Sequence, residues 1–212
     1  MITVTVFSDY VCPWCYVGTS ELATLKGEFE FKVDWRPFLL RPDTPDTGWE
    51  LPDRIKNFIK DPNNPLKQRA NKLGIEINHR MVVPSSRRAH ECTEFAREHG
   101  KLEDFHHALI ERYWSKSEDI HDWAVLEAAA TQVGLDAAAM HGEVDAGKWK
   151  QKVDEGLAAA HEVGVNAVPT FLIADTFAAS LPNGVAPGGF AIQGAQDANV
   201  FRQAFQRLKA GI

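Results

Sequence analysis

The sequence predicts an α/β protein whose mixed strand–helix domain is interrupted by a large all-helical insertion. Three observations predict it. The first 41 residues read as strand, helix, strand. Residues 42–160 carry mostly helix-type periodicity, cut by Gly and Pro stops. Strand patterning then returns near residue 165, and the chain finishes on an amphipathic helix. The expected division is a discontinuous domain of residues 1–41 and 161–212, with 42–160 as a helical insertion subdomain.

The first strand is the β-patterned run Ile2-Thr3-Val4-Thr5-Val6-Phe7. Ser8-Asp9-Tyr10-Val11 reads as a turn, and Cys12-Pro13-Trp14-Cys15 opens a helix that reaches about residue 26 and carries Leu22 and Leu25. Pro13 suits a first helical turn, where a missing N–H costs little. A second strand is expected over 30–38, with Phe31, Val33 and Trp35 on one face. Pro37 and Pro42 end it, because proline cannot donate to a ladder.

Four prolines between residues 43 and 65 predict a loop with one short helix over 53–60. A helix over 66–73 is expected to stop at Gly74. Ile75-Glu76-Ile77-Asn78 reads as short and extended. Pro84-Ser85-Ser86 opens the next helix, with Ala89, Cys92, Phe95 and Ala96 at helical spacing and Gly100 as its stop. Further helices are predicted over 102–114, from Asp122-Trp123 to 133, over 136–144 and over 148–163. A proline and a buried strand follow in Val165-Asn166-Ala167-Val168-Pro169-Thr170-Phe171-Leu172-Ile173. Pro182, Asn183, Gly184, Pro187 and Gly188 mark a long loop. Phe190-Ala191-Ile192-Gln193-Gly194 is a last strand, and 197–209 a final helix with Val200, Phe201, Phe205 and Leu208 inward.

Composition excludes several classes. The net charge of −6 argues against nucleic-acid and anionic-membrane partners, which call for a basic face. Three cysteines are too few for a secreted disulfide scaffold. No apolar run is long enough for a transmembrane helix. Met1 leads directly into a strand pattern, without a basic or apolar leader, so the expected setting is cytoplasmic.

Cys12 and Cys15 carry the chemistry. Two thiols three positions apart, where a strand hands over to a helix, suit redox use. Unpaired N–H groups and the helix dipole at that end favour a thiolate on Cys12, the nucleophilic form, and Cys15 can close a disulfide with it. A structural zinc site would need four ligands, and no second Cys-x-x-Cys exists. Cys92 sits on the apolar stripe of its helix and reads as an inert core thiol. The eight histidines are scattered, mostly as surface or capping residues, and the adjacent His106 and His107 face different ways. No metal and no bound cofactor is expected beyond the cysteine pair. Trp14 reads as an aromatic contact for substrate or a tuner of the dithiol. Asp9 reads as a turn residue before a proton acceptor. Trp35, Trp49, Trp114, Trp123 and Trp149 read as packing.

Together, Ser8-Asp9-Tyr10-Val11-Cys12-Pro13-Trp14-Cys15-Tyr16-Val17-Gly18, Arg36-Pro37-Phe38, Arg88-Ala89-His90, Val168-Pro169-Thr170-Phe171 and Gly194-Ala195-Gln196 resemble, in order, a known family. The chain is similar to the DsbA-like branch of the thioredoxin fold, and within it to the FrnE-type subgroup. The resemblance implies a thioredoxin-like fold with a large all-helical insertion. It implies a cis bond before Pro169 in a loop facing the dithiol, which leaves the Val168 backbone free to pair with an extended substrate. Pro13, Trp14, Val168, Pro169, Thr170 and His90 are then the expected substrate contacts. The stretch from about 174 to 189 departs from the pattern. It is longer than a simple hairpin and has room for an extra element or a cover at the site's edge.

The leading expectation is a thiol–disulfide oxidoreductase acting on a disulfide- or thiol-bearing protein or small molecule. Its direction depends on partner and compartment. A second is glutathione-dependent isomerisation or transfer, as in the related 2-hydroxychromene-2-carboxylate isomerases and kappa-class glutathione transferases, with glutathione as co-substrate. Those relatives typically have serine at the first reactive position. A third is a noncatalytic, chaperone-like binding domain.

Overall fold

The computed structural model describes residues 1–174 and 189–211. The long stretch between about 174 and 189 therefore lies, apart from its ends, outside the described residues. In order the elements are β1 (Ile2–Ser8), α1 (Pro13–Ala23), β2 (Phe31–Pro37), β3 (Trp49–Glu50), α2 (Asp53–Lys60), α3 (Pro65–Leu73), β4 (Val82–Val83) and α4 (Arg87–Glu98). Then come α5 (Leu102–Trp114), α6 (Trp123–Gln132), α7 (Ala137–Asp145), α8 (Lys150–Glu162), β5 (Thr170–Ala174), β6 (Phe190–Gln193) and α9 (Ala198–Ala210). The fold is the thioredoxin-like α/β arrangement with a helical insertion. Among the described residues no helix is long and apolar enough to cross a membrane.

The chain divides into two compact units. The first comprises Met1–Phe38 and Glu155–Ile212, and the second Leu39–Asp154. The first holds a mixed sheet in the order β2-β1-β5-β6. β1 runs parallel to β2, from Ile2 opposite Phe31 to Ser8 opposite Pro37, and antiparallel to β5, from Thr3 opposite Ala174 to Phe7 opposite Thr170. Strand side chains alternate between faces. Phe7 and Leu172 pack with Ala160 of α8 on one face. On the other, Phe171 meets Phe201 of α9 edge-on at 4.7 Å, and Phe29 and Phe31 both meet Phe205 at 5.2 Å.

α9 departs from expectation at one position. Phe201, Ala204, Phe205 and Leu208 are buried, but Val200 is 39% exposed. Adjacent helical residues point about 100° apart, and the buried stripe is centred past Val200.

The second unit contains α2 to α7. Side-chain caps start three of its helices: Asn64 accepts from Leu66 N–H, Asp122 from Ala124 N–H and Asp136 from Ala139 N–H. Ala89, Cys92, Phe95 and Ala96 all lie in its core. The expected extended run at 75–78 joins no ladder. The ladder instead pairs Trp49 with Val83 and Glu50 with Val82. Two-residue strands carry almost no periodic signal, so neighbours rather than pattern select them.

Candidate active site

β1 is the central element of the site. It ends at Ser8, and Phe7 sits opposite Thr170, the first residue of β5. The chain before β5 and the chain after β1 therefore leave the sheet at the same end. After β1 the backbone turns once: Cys12 N–H donates to Asp9 O at 3.1 Å, and Val11 N–H to Asp9 Oδ1 at 3.4 Å. Asp9 is fully buried, and these bonds give it the turn role expected from its type.

Cys12 is the N-cap of α1, with φ −93° and ψ 110° and no side-chain capping bond. Its sulfur is thus not spent on its own helix. Instead the thiol donates to the Val168 carbonyl at 3.7 Å, across 156 positions of sequence. The Cys12 carbonyl accepts from Cys15 N–H at 3.0 Å, which starts the helix. Cys12 is 4% exposed and Cys15 0%, and both are free thiols. Burial pushes the Cys15 thiol well above its ordinary range, reinforced by its hydrogen bond to Cys12 and by charge there. The Ser8 hydroxyl and the Asp9 backbone pull the other way. Cys15 is therefore held protonated beside Cys12.

The facing loop is fixed at both ends. The Val168–Pro169 bond is cis. Thr170 Oγ1 donates to Ala167 O at 2.7 Å, and Gly194 N–H to Pro169 O at 2.8 Å. α1 comes close to this loop because residue 18 is glycine. A Cβ there would lie 3.0 Å from Pro169 Cγ, and 3.2 Å from both Ala195 Cα and Phe171 Cζ.

The structure thus brings together Cys12, Cys15, Val168 and Pro169, with Pro13 and Trp14 half-exposed beside them. Thr170 is buried and its hydroxyl closes the turn. His90 lies in α4 of the second unit, buried at 5% exposure. Burial of His90 and also of His106 departs from a generally superficial set of histidines. Burial, first of all, keeps the His106 imidazole well below its ordinary range, helped by His107 and His90. Cys92 is buried, and desolvation pushes its thiol far up. Sequence reasoning missed Ser8 and Gly18 as site residues. A glycine inside a helix was the available signal for Gly18. Ser8 opens the motif that carries the family resemblance, but its type gave it no role beyond the turn. Among the described residues no group of three or more His, Cys, Asp or Glu side chains could hold a metal.

Residues 3–206 match the DSBA-like thioredoxin domain family. The chain is 31% identical over 179 residues to the uncharacterized protein YwbO of Bacillus subtilis (strain 168), covering 82% of this chain and 88% of that one. Among solved structures it is similar to the probable DsbA oxidoreductase SCO1869 from Streptomyces coelicolor. That match has a TM-score of 0.82 and 22% identity, over 99% of this chain and 91% of that one. It is also similar to a 2-hydroxychromene-2-carboxylate isomerase, with a TM-score of 0.73 and 17% identity, over 98% and 96%.

Proposed function

We propose that this chain, which belongs to the DSBA-like thioredoxin domain family, is a thiol–disulfide oxidoreductase working by exchange at Cys12 and Cys15. One observation carries the proposal. Cys12 stands at a helix N-terminus with its sulfur turned to the Val168 carbonyl, and Cys15 is buried beside it as a neutral thiol.

In the reducing direction, the Cys12 thiolate attacks one sulfur of a substrate disulfide. That S–S bond breaks, a Cys12–substrate disulfide forms, and the first substrate sulfur leaves as a thiolate that takes up a proton. Cys15 then gives up its proton and attacks the Cys12 sulfur. The mixed disulfide breaks, the second substrate sulfur leaves as a thiol, and a Cys12–Cys15 disulfide remains. Two electrons pass to the substrate. Oxidation of a substrate dithiol runs through the same steps in reverse. The burial of Cys15 supports this order, since a neutral thiol does not compete for the incoming disulfide. The Val168 backbone suits an extended substrate chain, which favours protein disulfides, and Trp14 offers an aromatic contact beside the sulfur. The working setting of this reading is cytoplasmic, with glutathione as one available co-substrate. Cysteine at both reactive positions supports exchange over glutathione-dependent isomerisation.

The test uses two variants and two disulfides, oxidised glutathione and insulin. Cys15→Ser is expected to accumulate a mixed disulfide through Cys12, seen by mass spectrometry and released by added thiol. Cys12→Ser is expected to form none. Equal adducts on both variants, or none on Cys15→Ser, would sink the reading.

A further inference from the structure

We infer that the second unit carries a self-association surface. β4 and the apolar stripe of α2 dock on a second copy of this chain, and the two β4 strands pair antiparallel about a two-fold axis at Val82. The surface draws on no residue of the first unit and is independent of the thiol chemistry.

Two features of this unit lack a cover. The first is α2. Ile55, Phe58 and Ile59 follow the spacing of one helix face, yet α2 buries no residue: Ile55 and Ile59 are half-buried and Phe58 is exposed. The second is the outer edge of β4. Glu50 stands opposite Val82, and Leu51 N–H donates to Met81 O at 2.9 Å. That bond makes Glu50 and Val82 the non-hydrogen-bonded pair of the ladder, so the Val82 N–H and C=O point away from β3. Among the described residues they make no hydrogen bond. The Val82 side chain lies over Gly48, where a Cβ would come within 2.6 Å of Val82 Cγ1, so the edge residue is held in place. The two features adjoin, because Ile59 and Met81 line one groove. Among the described residues, four of the six exposed large apolar side chains, Leu40, Phe58, Met81 and Val82, belong to this unit. An open strand edge beside uncovered apolar surface is a template for pairing with another chain.

Symmetry, proline and charge select a second copy as the occupant. An antiparallel pairing centred on Val82 is two-fold symmetric: each Val82 donates to and accepts from the other, and the patch uncovered on one copy covers the same patch on the next. A lone extended peptide gains little here. Pro84 has no N–H to extend the ladder, so backbone bonds centre on Val82 and the remaining contact must come from a folded apolar surface. Charge permits the contact. Glu50, opposite Val82, is paired with Lys56 at 2.6 Å, and Arg80 with Asp119 at 2.9 Å. Identical surfaces therefore meet at this edge without setting unpaired like charges together, although the chain carries a net charge of −6. A bilayer would leave the Val82 backbone groups without partners.

The test is sedimentation of the full-length chain from about 1 μM to about 1 mM, where a reversible monomer–dimer equilibrium is expected. Phe58→Glu and Met81→Glu are each expected to weaken the dimer about tenfold. Val200→Glu, at an exposed position on α9, is expected to leave it unchanged. A second measurement fixes the register. The Cα atoms of a hydrogen-bonded antiparallel pair stand about 5.5 Å apart, within reach of a disulfide. With Cys12 and Cys15 both replaced by serine, Val82→Cys is therefore expected to cross-link as a symmetric dimer on mild oxidation, and Val200→Cys to lag behind it. The proposal is overturned if the chain stays monomeric throughout, if neither glutamate variant weakens the dimer, or if Val82→Cys cross-links no faster than Val200→Cys. It is equally overturned if a monomeric chain instead binds phosphatidylglycerol vesicles in a Phe58-dependent way.

Discussion

Replacing Gly156 by alanine tests how tightly α8 is seated on the strand end that carries the site. A Cβ at position 156 would lie 2.5 Å from Pro37 Cγ and 2.7 Å from Pro37 Cδ. Carbon–carbon contacts relax at about 3.5–4.0 Å, so the overlap is about 1 Å. The obstacle is a buried pyrrolidine ring at the end of β2, opposite Ser8, and it has no rotamer that withdraws it. Alanine gains about 1 kcal/mol in helix propensity over glycine. Overpacking costs about 1–3 kcal/mol and occasionally more, and a rigid ring puts this site at the upper end. The expected net loss is about 2 kcal/mol. Urea unfolding followed by tryptophan fluorescence checks it. With a slope of about 2 kcal/mol/M the midpoint falls by about 1 M, slope unchanged. Adding Pro37→Ala removes the obstructing ring atoms, so the double variant is expected to recover part of the loss through a positive coupling. A midpoint equal to or above that of the parent would refute the reasoning, because propensity alone would then have decided the outcome.

Gly18→Ala is milder, since its nearest contacts would be 3.0–3.2 Å; a loss of about 1 kcal/mol is expected, with slower alkylation of Cys12 if α1 shifts against Pro169, and no change in either refutes the close fit. Because burial raises the Cys15 thiol, release of a Cys12 mixed disulfide is expected to quicken about tenfold per pH unit through neutrality, and a flat profile in stopped-flow release would count against Cys15 as the resolving thiol. Ser8→Ala removes a hydroxyl that pulls the Cys15 thiol down, so that profile is expected to move to higher pH; an unmoved profile removes Ser8 from the mechanism. His106 is buried with its pKa held well below the ordinary 6.5. As pH falls below that value the unfolded chain binds a proton the folded chain refuses, and stability drops by up to about 1.4 kcal/mol per pH unit. His106→Gln is expected to flatten part of that acid slope in urea titrations, and an unchanged slope discounts the group.

Much of the fold was readable one segment at a time. Asn64, Asp122, Asp136 and Asp197 cap the helices they precede, and Gly74, Gly134 and Gly211 take the left-handed conformation at helix ends. These signals are local, because a cap or a stop acts on backbone groups within four residues of itself. The dithiol was readable for the same reason, its two sulfurs being set by one turn of helix.

What the sequence by itself determined, then, is where helices begin and end, which faces are apolar, and that two thiols share the start of α1. Only the tertiary structure decided what those elements meet. The Cys12 thiol reaches the Val168 carbonyl because β1 and β5 pair in one register, and a slip of one residue would turn every side chain to the other face. Gly18 and Gly156 are required by Pro169 and Pro37, which stand far along the chain. The ladder of β3 with β4, the exposure of Val200 and the protonated burial of Cys15 are likewise properties of neighbours. A residue's local pattern fixes its φ and ψ, whereas its burial, partners and charge depend on atoms that folding brings from elsewhere.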